Sequence, residues 1–80
     1  MKDTLLFLVQ QIVDHPDDVV VEETSESGKT VLLIHANAED MGKIIGKSGR
    51  IIRAIRDIIK LIATKKNVYV DVVVADERTG

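Results

Sequence analysis

The chain has 80 residues, 45% hydrophobic and 30% charged, with a formal charge of -2, and contains no cysteine. A chain this short supports one core, so one domain over residues 1–80 is expected and an enzyme with a deep cleft is a poor fit. The hydrophobic and charged fractions exclude a disordered chain, and the missing cysteines exclude a disulfide framework or thiolate metal site, consistent with a cytoplasmic location.

The run Leu5-Leu6-Phe7-Leu8-Val9 is broken by Gln10 and Gln11 with no small-residue cleavage site after it, and no stretch approaches the ~20 apolar residues of a membrane span. Neither a secretory leader nor a membrane partner is expected. Leu5, Leu8, Val9, Ile12 and Val13 recur at helical spacing, predicting a first helix capped by Asp3 or Thr4 and stopped by His15-Pro16. Residues 18–24 and 30–36 read as strands separated by Ser25-Glu26-Ser27-Gly28, a hairpin turn.

Asn37 is placed to cap a short second helix bearing Met41, Ile44 and Ile45 and ending at Gly46. A third helix from about Gly49 carries Ile51, Ile52, Ile55, Ile58, Ile59 and Ile62, read as its buried side, with Arg50, Arg53, Arg56 and Lys60 opposite. Val68, Val70, Val72 and Val74 alternate as one face of a last strand, and the polar tail 76–80 is expected to fray. The order α-β-β-α-α-β predicts an α+β domain. The helical pair acts as a crossover, and the helices cover one face of a three-stranded mixed sheet.

Charge is unevenly spread. Residues 42–66 hold eight basic side chains against Asp57 alone, a local +7, while the other 55 residues hold three basic and twelve acidic side chains, a local -9. A concentrated positive region on an acidic body attracts a polyanion locally, although a solvated helix face would give the same count.

Within that region stands GKIIGKSGR, residues 42–50. A Walker A loop needs four residues between its first glycine and Gly-Lys-Ser/Thr; Gly42 and Gly46 enclose three, and the preceding residues are helical rather than a buried strand. The shorter pattern Gly46-Lys47-Ser48-Gly49 fits better. Two residues without Cβ allow a backbone to approach closely, Lys47 offers charge, Ser48 can cap the third helix, and the helix N-terminus faces the same place. Its bland alternative is a tight corner between helices.

The stretch Ile44-Ile45-Gly46-Lys47-Ser48-Gly49-Arg50-Ile51-Ile52 resembles the signature of the KH domain, and the element order matches its type II form over essentially the whole chain. DHPDDV and GKIIGKSGRIIRAIR further resemble the KhpA family of small bacterial single-KH-domain RNA-binding proteins. The resemblance implies a groove clamping about four nucleotides of single-stranded RNA. The glycine loop and its helices would form one wall, and the last strand with Lys65 and Lys66 the other. The candidate contacts are Lys43, Ile45, Gly46, Lys47, Ser48, Gly49, Arg50, Arg53, Lys65 and Lys66. Whether Ile44, Ile45 and Ile52 face the groove or the core stays open. The resemblance also implies self-association as a homodimer, a heteromer with a larger KH-domain RNA-binding protein, and an RNA chaperone or regulatory role tied to cell growth and division and so to cell shape. DNA is not favoured.

Phe7 and Tyr69 are the only aromatic residues, too few for a stacking platform, and Tyr69 reads as a packing or sheet-surface residue. His15 and His35 lie far apart and read as structural or exposed, so no metal, cofactor or catalytic constellation is expected. The alternative to RNA binding is a protein-interaction module that keeps the fold as a subunit of a larger complex.

Overall fold

The computed structural model describes residues 1–75; the tail 76–80, expected to fray, lies outside the described residues. Helix α1 (Lys2–Gln10) precedes the strands β1 (Val20–Glu26) and β2 (Lys29–His35), then come α2 (Met41–Ile45), α3 (Arg50–Lys65) and β3 (Tyr69–Val74). β1 and β2 are antiparallel, β2 and β3 parallel, and β2 is central. The chain is therefore α+β with a mixed three-stranded sheet, in agreement with a type II KH-like fold.

The hairpin turn is shorter than its composition suggests, because Ser27 and Gly28 both take positive φ, 54° and 79°. Two successive residues of that kind make the tight turn whose twist matches the flanking strands, so β1 runs on to Glu26.

α1 differs from expectation at both ends. The Leu5 amide bonds to the Met1 carbonyl at 2.9 Å, so the helix begins ahead of Asp3 and Thr4 rather than after them. It stops at Gln10, well before His15-Pro16. The amides of Gln11 and Ile12 tighten onto Leu8 and Val9, and the chain turns away to deliver two further amides to Asp40. Ile12 is exposed as a result, and Pro16 instead opens a 3-10 turn, Pro16–Asp18.

The core joins Leu5 and Val9 of α1 and Ile44 of α2 to Ile52, Ile55, Ile59 and Ala63 of α3, packed against Val21, Leu32, Ile34, Val70 and Val72 of the sheet. The alternation in β3 holds for Val70 and Val72, with Val74 half-buried, but Val68 precedes the strand and is exposed, its amide held by the Ala63 carbonyl. On α3, three of the six isoleucines are buried. At 100° per residue the six span about 120°, and the covered side is centred on Ile52, Ile55, Ile59 and Ala63, which leaves Ile51 and Ile58 at its margin. Ile51 and Ile58 lie on a second stripe with Ala54 and Leu61, spaced at three and four residues, all exposed, and Leu61 by 73%.

Among the described residues no helix is long and apolar enough to cross a membrane.

Candidate nucleic-acid interface

The corner between α2 and α3 is made by backbone conformation. Gly46 closes α2 with its amide on the Gly42 carbonyl (2.8 Å) and then takes φ 77°, ψ 172°, a region essentially restricted to glycine. A Cβ there would also stand 2.6 to 2.9 Å from the Ile51 side chain, so Gly46 is fixed by conformation and by space. Ser48 (φ 57°, ψ 27°) and Gly49 (φ 73°, ψ 18°) follow in the left-handed region. A Cβ on Gly49 would meet only Arg53 Nη2, at 3.8 Å, leaving this side of the loop open.

Ser48 does not cap α3. A capping residue needs extended backbone, whereas Ser48 is left-handed and lies one residue ahead of the cap position held by Gly49; α3 has no side-chain cap bond. The Ser48 carbonyl instead accepts from Arg53 Nη2 at 3.0 Å, a brace across the loop. The amides of Gly49 and Arg50 are spent within the turn on the carbonyls of Gly46 and Lys47. The attraction of this corner for an anion thus rests on side-chain charge more than on free amides: Lys47 and Arg50 are exposed, and Arg53 stands one turn along the helix.

The corner upstream of α2 is held differently. Asn37 Oδ1 accepts the Glu39 amide (2.8 Å) and caps a 3-10 turn, Ala38–Asp40, that leads into α2. Asp40 is fully buried, and its two carboxylate oxygens accept the amides of Asp14 (3.1 Å) and His15 (3.0 Å). Burial alone would push this carboxyl up, but those two amide bonds, with His15 and Lys43 nearby, hold it below its ordinary value of 3.8. Lys43 belongs to this corner, its Nζ lying 3.3 Å from Asp14 Oδ2.

Of the ten candidate residues, Gly46, Lys47, Ser48, Gly49, Arg50 and Arg53 gather at the N-terminal end of α3, with half-buried Ile45 beside them. Lys65 and Lys66 are exposed at the far end of α3, about 22 Å along the axis from Arg50 at 1.5 Å per residue. The two groups are not adjacent. Arg56 and Lys60, absent from the candidates, connect them: Gly49, Arg53, Arg56 and Lys60 recur at i, i+4, i+7 and i+11, one face of the helix, and this periodicity was available in the sequence. That face borders β3. Arg56 Nε donates to the Val72 carbonyl (3.2 Å), and Lys60 lines a cleft of about 170 Å³ with Ala63, Thr64, Val68, Tyr69 and Val70. Ile44 is core, fully buried, and Ile52 nearly so.

The histidines do other work. His15 Nε2 meets Glu39 Oε1 at 3.0 Å, and His35 meets Glu22 across the hairpin. Among the described residues no group of three His, Cys, Asp or Glu could hold a metal. Tyr69 is an exposed sheet residue with the Lys29 ammonium 5.8 Å from its ring centre.

The family model described as "KhpA/KhpB, KH domain" matches residues 2–74. The protein named RNA-binding protein KhpA in Leifsonia xyli is 45% identical over 69 residues, covering 86% of this chain and 91% of its own length. Its namesake in Clostridium perfringens is 42% identical over 67 residues, covering 84% and 89%. That of Chlamydia muridarum is 36% identical over 78 residues, covering 98% and 100%. No solved structure matches the chain.

Proposed function

The chain belongs to the KhpA/KhpB KH-domain family, and from that premise we propose that it is a small, non-catalytic RNA-binding protein of the cytoplasm that clamps a short single-stranded segment at the loop of residues 46–49. One observation carries the clamp: a left-handed loop with one open side stands at the head of a cationic helix face that borders a strand edge. Phosphates pass Lys47, Arg50 and Arg53 at the loop, continue past Lys60, and end at Lys65 and Lys66, while the bases turn towards β3. A handful of phosphate contacts gives one groove modest, salt-dependent affinity, so pairing of grooves strengthens binding.

The exposed stripe Ile51, Ala54, Ile58 and Leu61 supports such pairing. It has the three-four spacing of a helix seam with a small residue within it, and it suits a second copy or the KH domain of a larger RNA-binding partner. A role as RNA chaperone or post-transcriptional regulator follows if paired grooves hold two segments of RNA.

The test is equilibrium binding of a fluorescent single-stranded RNA pool at two salt concentrations by the wild type and by Lys47→Asp/Ser48→Asp. The wild type should bind more weakly at higher salt, and the variant should lose at least about tenfold in affinity with an unchanged melting temperature. Equal binding by the two proteins would remove the clamp, and absence of binding by the wild type would leave the stripe as the functional surface.

A further inference from the structure

The open edge of β3 contains a feature that the clamp does not use. The Ala75 amide bonds to Ile34 of β2, so by the alternation of a parallel ladder the backbone groups of Val70, Val72 and Val74 point away from β2, towards the groove. At the midpoint both are taken. The Val72 amide donates to the Asp71 carboxylate at 2.8 Å, and the Val72 carbonyl accepts from Arg56 Nε at 3.2 Å, with the Asp71 carboxylate also 3.9 Å from Nε. A base reaching this point finds no free backbone donor on Val72, and a carbonyl already engaged by Arg56. What it finds is the outer half of the Arg56 guanidinium.

Arg56 differs in this respect from its neighbours. The Arg50 guanidinium is exposed and has no hydrogen-bond or ion-pair partner among the described residues, and Arg53 uses Nη2 to brace Ser48. Arg56 is half-buried and anchored through Nε, while Nη1 and Nη2 have no partner among the described residues. An anchored guanidinium has lost much of its side-chain freedom before a ligand arrives, so its remaining planar pair of donors is preorganised. Such a pair matches two adjacent acceptors. Guanine offers O6 and N7, cytosine offers O2 and N3, adenine sets its amino donor beside both N1 and N7 and leaves N3 without a second acceptor next to it, and uracil separates its carbonyl oxygens by an N–H.

We propose that Arg56, fixed on the edge of β3, reads one base of the bound strand and selects guanine or cytosine over adenine and uracil, with Asp71 as its positioning residue. This rests on the RNA-binding reading above and adds sequence selection to it.

The test uses random single-stranded RNA octamers of three compositions: A and U only; A, U and C; and A, U and G. The wild type should bind at least one of the last two about tenfold or more tighter than the first. Arg56→Lys keeps the charge but not the fork, and should shrink that ratio to within about twofold, whatever the change in overall affinity. Asp71→Asn, which keeps an acceptor for the Val72 amide, should narrow the preference at an unchanged melting temperature, giving a second reading if the lysine variant folds poorly. A wild type that ranks the three pools equally, or variants that keep the wild-type ratio, would overturn base selection alone. A wild type that binds none of the pools would overturn it together with the clamp.

Discussion

The two corners that flank α2 are fixed by opposite means. Upstream, Asp40 draws two amides around a buried carboxylate, and the corner is closed, with its charge and hydrogen bonds directed inward. Downstream, three residues of positive φ, Gly46, Ser48 and Gly49, shape the chain, one guanidinium braces it, and the cations Lys47 and Arg50 face outward. A corner stabilised by side-chain hydrogen bonds spends its polar groups on itself. A corner stabilised by backbone conformation leaves them for a ligand, and a helix of five residues suffices to join the two.

The sharpest way to break this contrast is Gly46→Ala. It meets both a glycine-only conformation and the Ile51 side chain, and should cost about 3 kcal/mol or more, read as a large fall in melting temperature with loss of RNA binding. A near-wild-type melt would mean that the downstream corner is not held by Gly46.

Asp40→Asn removes a charged acceptor from the upstream corner and should destabilise less than Gly46→Ala, with a pH signature. Because the folded carboxyl lies below its ordinary value of 3.8, its contribution is present above that pH and is lost as the pH falls through the depressed value. Acid unfolding followed by circular dichroism should therefore show a shallower fall below about pH 3.8 in the variant than in the wild type. Parallel acid limbs would deny Asp40 the clamp.

Gly49→Ala gives the smallest effect. Its Cβ has room, so only the left-handed conformation is penalised, by about 1 kcal/mol, and RNA affinity should fall more than stability if the open side of the loop is where the strand approaches. Equal losses at Gly46 and Gly49 would erase the distinction between a glycine required for packing and one required for access.

The same contrast explains what the sequence disclosed. Element order, sheet arrangement, and the position of the glycine corner were all legible, since strand alternation, turn residues, and the Gly-x-x-Gly spacing are local signals. The upstream clamp was not: Asp40 read as an acid in a helix's first turn, and nothing local says that Asp14 and His15, about 25 residues away, will supply its amides. For the same reason the sequence pattern overstates the length of α1. Ile51 and Ile58 read as core in the sequence yet are exposed, because hydrophobicity marks a face without saying whether the fold provides a cover for it. Arg56 was visible as a surface cation, but its anchoring depends on β3, which arrives later in the chain.

That lateness has a consequence for how the groove comes into being. The β1–β2 pairing closes over a two-residue turn, whereas His35 and Tyr69, the ends of β2 and β3 that bound the crossover, are separated by 33 residues. By chain statistics this is about four doublings of loop length, roughly 2.5 kcal/mol more entropy. The glycine corner is local and forms within the segment that must be closed, but the strand opposite it is delivered only by the closure itself. On the proposed clamp, a chain that has made its loop therefore has half a groove, and the second half comes only with the completed sheet, so competence to hold a strand would be tied to folding of the whole molecule.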